Sequence, residues 1–368
     1  MKKIIFSTND AKRVLEVELK IIQMLKKKGY DVFILCEKDN FYHELKHSID
    51  NVISVNVNSK KISILRDIKL IFEYYNIFKK IKPDIIFNST IKPNIYGSIA
   101  SSFLNIKTIS KISGLGSSFQ KSIALKFISK LLYRISLKKN IKVFFQNKSD
   151  ISFFTNNNII NLSKASLVPS GINLPQQKNL YYKNDNKITK FLYLGRPIST
   201  KGINEFLESS NLMLSKYENV EIHIAGDSKS IDTKIISKKI LTMCNEYEKR
   251  FFFHEYQKNL NDFIRKFDCL VMPSYREGMS NVLLLAGANS IPSICTDVPG
   301  CREIIIDDFN GFLCKPKSVE DLFLKMKKFY HLDIKKRYEI SMKSYEYINN
   351  NFSIDKLEKF YLNIILNI

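Results

Sequence analysis

The sequence predicts two doubly wound α/β domains in tandem. Its 368 residues exceed what one ordinary core organises. Short β-branched runs alternate with helical patterns through both halves. A polar stretch without periodicity, Leu174 to Lys190, separates the two series and reads as a linker.

In the first half, strands are predicted over Lys3–Ser7, Asp31–Cys36, Val52–Val55, Asp84–Asn88, Thr108–Ile112, Val143–Gln146 and Ser166–Val168. Helical patterns fill the intervals, one reaching Lys28, one ending at Ile81 and one following Pro93. The opening MKKIIFSTND has an apolar run of only three residues and reads as a first strand rather than a signal peptide. A second alternating series begins at Phe191 and closes near Tyr330, followed by helices over Ile334–Asn350 and Ser353–Ile364. The expected organisation is a first domain over 1–173, a linker over 174–190, a second domain over 191–350 and a terminal helix over 351–368.

Composition narrows the function classes. Hydrophobic residues make up 45% and charged residues 26%, as in soluble globular proteins, and no apolar run is long enough to span a bilayer. Six cysteines without a CxxC pair read as reduced, mostly buried thiols of a cytosolic protein. HELKH, His43 to His47, fits a zinc-protease pattern but lies among lysines with no third ligand following, so no metal site is assigned. Residues 1–173 hold 29 Lys and Arg against 12 Asp and Glu, a net +17 of the total +22. So uneven a field favours anionic surfaces, and without a nucleic-acid motif it points to a membrane leaflet.

The polar chemistry is concentrated between Pro273 and Cys314. A buried strand (Cys269–Met272) leads into a loop holding Arg276, Glu277 and Gly278, then an apolar helix, a strand (Pro292–Thr296) and a loop with Asp297, Gly300, Arg302 and Glu303. Both loops fall at strand carboxyl ends, where open α/β sheets bind ligands. Amides near Gly278, Met279 and Ser280, at the helix start, can receive a phosphate, whereas Glu277 suits a neutral, hydroxylated group. Phosphate beside hydroxyls describes a nucleotide-sugar. Upstream, GRPISTKG (Gly195 to Gly202) carries Arg196 and Lys201 into a turn before a helix, two cations suited to a diphosphate.

These residues resemble the family 4 retaining glycosyltransferases, most closely bacterial members that extend polyprenyl-diphosphate-linked sugars for O-antigen, capsule or protein glycans. The resemblance covers nearly the whole chain and is strongest from Phe191 to Cys314. It implies a GT-B fold: two Rossmann-like domains facing a cleft, with the C-terminal helix returning to the first. It also implies roles. Gly195, Arg196 and Lys201 would hold the donor diphosphate, Glu277 would orient the sugar, and no divalent metal or other cofactor would be needed. The chain has no Asp-x-Asp. One departure stands out. The family pattern Glu-x7-Glu begins at Glu277, but its second position, where the donor ribose would be held, is Leu285. A hydrogen bond to a charged group is worth about 1.5–3 kcal/mol, so its loss bears on donor binding.

In the first half, the strand Thr108–Ile112 runs into SGLGSSF, where Gly114 and Gly116 allow close backbone approach but Phe119 replaces the third glycine of a dinucleotide fingerprint. Ser113 and Gly114 are assigned to the acceptor side of the cleft. Asn9 and Arg13, after the first strand, are either acceptor contacts or part of a capped helix start. From Gln120 to Lys142 there are seven basic residues and no acidic one. Lys126, Lys130, Arg134 and Lys138 run parallel to an apolar stripe of Ile123, Phe127, Leu131 and Ile135. Such a helix either presents a solvated lysine face or docks on an anionic membrane.

The expected activity is transfer of a hexose or N-acetylhexosamine from a UDP-sugar, with retention, to a polyprenyl-diphosphate-linked saccharide at the inner face of the bacterial cytoplasmic membrane. A UDP-sugar 2-epimerase of the same architecture and a degenerate, non-catalytic GT-B binding module are the alternatives, the second because of Leu285.

Overall fold

The structure, a computed structural model, describes residues 1–57, 63–115, 123–175, 188–257 and 259–367. Most of the expected linker, and Gly116 and Phe119, lie outside them. The chain divides into two compact units, one of Met1–Pro169 with Leu357–Ile368 and the other of Ser170–Lys356.

The first unit is built on a seven-stranded sheet: β1 (Lys3–Asp10), β2 (Asp31–Glu37), β3 (Val52–Ser54), β4 (Ile85–Ser89), β5 (Lys107–Ile112), β6 (Lys142–Phe145) and β7 (Ala165–Leu167). Every pairing is parallel, in the order β3-β2-β1-β4-β5-β6-β7. The second unit has β8 (Thr189–Leu194), β9 (Val220–Ala225), β10 (Phe251–His254), β11 (Cys269–Met272), β12 (Ser293–Thr296) and β13 (Gly311–Cys314). These are also parallel, in the order β10-β9-β8-β11-β12-β13. Each sheet thus reverses direction once, between β1 and β4 and between β8 and β11. A crevice opens at the strand carboxyl ends at such a point.

Both faces of each sheet are covered, which is why its strands read as continuous apolar runs. In the second unit Phe191, Tyr193, Cys269 and Val271 point into one core, and the intervening Leu192, Leu194, Leu270 and Met272 into the other. In the first, helix Ile64–Ile81 buries Leu70, Tyr74, Phe78 and Ile81 at helical spacing. The C-terminal helix Ile354–Leu366 lies against the first sheet, where the Tyr361 ring meets Phe6, Phe87 and Phe144. Residues just after Pro169 are tied to the end of helix Ile334–Phe352: the Ile172 amide donates to the Phe352 carbonyl (2.8 Å) and its carbonyl accepts from Ile354 (3.1 Å).

All six cysteines are free and five are buried. Burial pushes the Cys36 thiol up to about 12, so it stays protonated at neutral pH.

On β9, His223 is buried between aromatic neighbours, with Nδ1 3.0 Å from His254 Nε2 and Nε2 3.2 Å from Glu221. Burial pulls its pKa from 6.5 to about 4 against the opposing pull of Glu221. The unfolded chain therefore takes up this proton first, and the contribution of a neutral His223 is full above pH 6.5 and is lost as pH falls through about 4. Acid titrations followed by circular dichroism should show this loss, and His223→Phe should flatten it.

Candidate functional site

The expected donor residues gather at the carboxyl ends of β8 and β11. β8 ends at Leu194, Gly195 follows it, and a single 3-10 turn, Ser199–Lys201, leads to Gly202 and helix Ile203–Lys216. Gly202 has φ +73, and a Cβ there would sit 2.0 Å from the Pro273 carbonyl oxygen. The loop is therefore pressed onto the one that follows β11, with the Tyr275 amide donating to the Thr200 carbonyl (3.1 Å). This contact carries Lys201 to Glu277, Nζ to Oε1 at 2.5 Å, both side chains mostly buried.

Glu277 is held from a third side. Its amide donates to the Pro299 carbonyl (3.2 Å), and Gly300 (φ +83) lies so close that a Cβ there would be 2.7 Å from Glu277. The Gly300 amide donates to Glu303 (2.6 Å), and the Thr296 hydroxyl donates to the Ser274 carbonyl. Three loops distant in sequence thus lock around one carboxylate.

Between them lies a pocket of about 230 Å³, lined by Tyr193, Leu194, Gly195, Lys201, Met272, Ser274, Glu277, Met279, Ser280, Asn281 and Val282. Helix Asn281–Ala288 points its N-terminus into it. Ser280, expected as a donor contact, lines the pocket and also caps the helix: its oxygen accepts from the Leu283 amide (3.3 Å), its hydroxyl is 3.0 Å from Met272 Sδ, and its own amide donates to the Gly300 carbonyl (3.1 Å). The N-terminal amides with no partner among the described residues are those of Asn281 and Val282. They present the dipole's positive end to the pocket.

Not every expected residue lines this pocket. Arg196 is exposed and outside the lining, its carbonyl accepting from the Tyr193 hydroxyl (2.8 Å), and Gly278 is also outside. Leu285 is partly buried against an apolar cluster with Val282 and Met279, and its carbonyl accepts from Asn289. Two features beside the pocket lacked a motif to mark them. Tyr193, the last residue but one of β8, lines the pocket, and burial keeps its phenol protonated. Tyr275 donates to Glu205 (2.6 Å) on helix Ile203–Lys216, with Lys317 over its ring.

In the first unit, Arg13 and Ser113 are brought together at the ends of β1 and β5, Nη2 to Oγ at 2.8 Å. Gly114 follows with φ +111. The Asn9 amide donates to Thr90 Oγ1 (3.1 Å), while Asn9 Oδ1 is buried without a partner among the described residues. Asp10, not Asn9, caps the short helix Ala11–Arg13 by accepting from the Arg13 amide (2.9 Å). On helix Ile123–Ser136 the expected lysine face is partly committed. Lys130 donates to Asn157 (2.5 Å), Arg134 donates to the Asn157 and Asn158 carbonyls (both 2.9 Å), and Lys126 and Lys130 lie over Phe153. Lys138, beyond the helix, is exposed. His43 and His47 lie on the exposed side of helix Tyr42–Ser48, and no metal-binding group of three or more His, Cys, Asp or Glu occurs among the described residues.

Lys201→Met should lower stability by about 1–3 kcal/mol by leaving a mostly buried carboxylate unpaired, and adding Glu277→Gln should restore most of it; urea melts of the single and double variants measure this coupling. Gly202→Ala should lose more than about 1 kcal/mol in the same melts, from its positive φ and the Pro273 carbonyl in its path.

Two family models match the chain, one described as glycosyl transferase 4-like over residues 3–147 and one as glycosyl transferases group 1 over residues 177–347. A Campylobacter jejuni protein, N,N'-diacetylbacillosaminyl-diphospho-undecaprenol alpha-1,3-N-acetylgalactosaminyltransferase, is 24% identical over 87% of each chain. An Escherichia coli UDP-Gal:alpha-D-GlcNAc-diphosphoundecaprenol alpha-1,3-galactosyltransferase is 21% identical over 96% of this chain and 94% of its own. Among solved structures, a glycosyltransferase of Rickettsia africae superposes with TM-score 0.80 at 18% identity, over 99% of this chain and 97% of its own. That likeness identifies the fold as GT-B. The two models together cover the second sheet, the pocket loops and the first sheet except β7, and the chain belongs to the group 1, family 4-like glycosyltransferases.

Proposed function

We propose that this glycosyltransferase moves a hexose or N-acetylhexosamine from a UDP-sugar to a polyprenyl-diphosphate-linked saccharide, with retention and without a divalent metal, at the inner face of the cytoplasmic membrane. The observation that carries the reading is the Lys201–Glu277 pair inside a pocket roofed by a helix N-terminus. Such a site offers a cation and free amides to a diphosphate, and a carboxylate to sugar hydroxyls. The named relatives supply the donor and acceptor classes: one is named for UDP-galactose, and both are named for diphospho-undecaprenol sugars.

The donor diphosphate would rest on Lys201 and the Asn281 and Val282 amides, with exposed Arg196 swinging in from the rim. Lys201 then shares its charge with the phosphate, and Glu277 becomes available to accept hydrogen bonds from the sugar. The acceptor hydroxyl oxygen bonds to the anomeric carbon on the face from which UDP departs. The anomeric carbon–oxygen bond breaks, its electron pair leaves with the β-phosphate, and that phosphate takes the acceptor proton. The protein acts by positioning and by stabilising charge on the leaving group. In the first unit, Asn9, Arg13, Ser113 and Gly114 are the proposed acceptor contacts. Leu285 favours a second reading, a weakened or non-catalytic donor site, because nothing charged stands at that position.

The test is UDP release by the purified protein from a panel of UDP-sugars, with and without membrane extract, in EDTA. Release from one donor that depends on the extract is expected, with kcat lowered about 100- to 1,000-fold by Lys201→Ala. Retention is read from the anomeric configuration of the product by NMR. Turnover by Leu285→Glu alone would favour the impaired site. Product epimerised at C2 without extract would favour the epimerase.

A further inference from the structure

Two helices of the first unit expose the same apolar pattern. On helix Ile64–Ile81 the exposed large side chains are Ile64, Leu65, Ile68 and Phe72, between 45% and 77% accessible. On helix Ile123–Ser136 they are Phe127, Ile128, Leu131 and Ile135, between 47% and 69% accessible. In both the spacing is i, i+1, i+4, i+8, which at roughly 100° per residue confines each set to an arc of about 100°. Groups this large are seldom left in water side by side without a partner.

The fold places both sets on one face. Helix Ile64–Ile81 connects β3 to β4, the segment Pro93–Phe103 connects β4 to β5, and helix Ile123–Ser136 connects β5 to β6. Successive right-handed crossovers in one direction along a parallel sheet fall on the same side, and these three segments pack against one another in that order. Each helix begins at the carboxyl edge of the sheet and runs back along it. The apolar sets start in the first two turns, and so lie toward the edge that carries Asn9, Arg13 and Ser113.

Charge selects the occupant. Arg66 and Lys69 are exposed beside the first set, Lys126 and Arg134 beside the second. Helix Ile123–Ser136 contains no carboxylate. Helix Ile64–Ile81 has two carboxylates: Asp67, which is buried and paired with Lys92 (2.9 Å), and Glu73, which is part-buried beside Phe72 and accepts from the Asn56 amide (3.3 Å). Apolar ridges bordered by cations and free of exposed carboxylates fit an anionic lipid surface. No helix of the described residues is long and apolar enough to cross a membrane, so these ridges would enter only its outer layer.

We infer that Ile64, Leu65, Ile68 and Phe72 form a second bilayer-inserting ridge, which together with the ridge on helix Ile123–Ser136 seats the first unit on an anionic membrane at two points. The inference deepens the reading of a lipid-linked acceptor and rests on it. Two ridges on separate helices define an orientation, which one amphipathic helix does not, and this orientation turns the acceptor edge of the sheet toward the lipid headgroups.

The chain has no tryptophan, so one introduced indole reports alone. Leu65→Trp, Phe127→Trp and, as a control on an exposed position of the second unit, Leu241→Trp are mixed with phosphatidylethanolamine–phosphatidylglycerol vesicles with and without brominated acyl chains. Emission from Leu65→Trp and Phe127→Trp should shift to the blue and be quenched by the bromines, while Leu241→Trp is unchanged. Replacing Ile64, Leu65, Ile68 and Phe72 together by Ser should weaken vesicle binding roughly a hundredfold or more. Quenching at Phe127→Trp without quenching at Leu65→Trp overturns the second ridge and leaves membrane docking in place. Cosedimentation with neither indole quenched overturns insertion. A concentration-dependent blue shift of Leu65→Trp without vesicles, with dimers in sedimentation, assigns the ridge to a second copy of the chain and also overturns it. The vesicle experiment contains neither donor nor acceptor, so its failure is separable from failure of the UDP-release assay.

Discussion

On either side of the Lys201–Glu277 pair one loop passes another so closely that only glycine fits: Gly202 under the Pro273 carbonyl and Gly300 against Glu277. Interiors at this density behave as solids, and a Cβ could be accommodated only by displacing backbone. The pocket beside them depends on this constraint. Lys201 is the neighbour of Gly202, and Glu277 lies where the Gly300 loop presses on it, so the 2.5 Å ion pair joins residues 76 positions apart without either side chain having to search. A carboxylate held so rigidly can be offered to a ligand at little cost in ordering.

The two sheets repeat one strand order but hold different chemistry at their reversal points. In the second unit the crevice is small and part apolar, with a cation, a carboxylate and two unpartnered amides. In the first, the corresponding ends of β1 and β4 are lined by hydroxyls and amides, with Arg13 reaching across to Ser113. Glu18, beneath them, accepts from the Ser89 hydroxyl (2.9 Å) and is buried, as is Lys111, whose pKa is driven down to about 8 by burial. The same topology thus positions a compact pocket with a cation and free amides in one unit and an extended polar edge in the other, consistent with function residing in sites carried by a fold.

The basic helix shows how local pattern and tertiary setting divide the work. Periodicity alone identified Lys126, Lys130, Lys138 and Arg134 as a cationic row and the residues beside them as apolar. The structure then turns Lys130 and Arg134 onto the turn at Asn157 and Asn158, and leaves Phe127, Leu131 and Ile135 as the exposed ridge. A row of lysines does not reveal which of them will find a carbonyl from another segment. Nor did any motif mark helix Ile64–Ile81, because its apolar residues look the same on both sides until packing buries one set.

Sequence by itself determined the two alternating series, the parallel sheets and the loops that carry Arg196, Lys201 and Glu277, because helix and strand periods and turn residues are local properties of the chain. It also marked Leu285 as the place where the chain departs from its family. Only the tertiary structure decided that Lys201 and Glu277 meet while Arg196 stays at the rim, that Ser280 caps the helix as well as lining the pocket, and that two helices leave apolar ridges on one face. Each of these depends on which distant backbone passes within contact distance, and that follows from the packing of sheet, crossover and loop together.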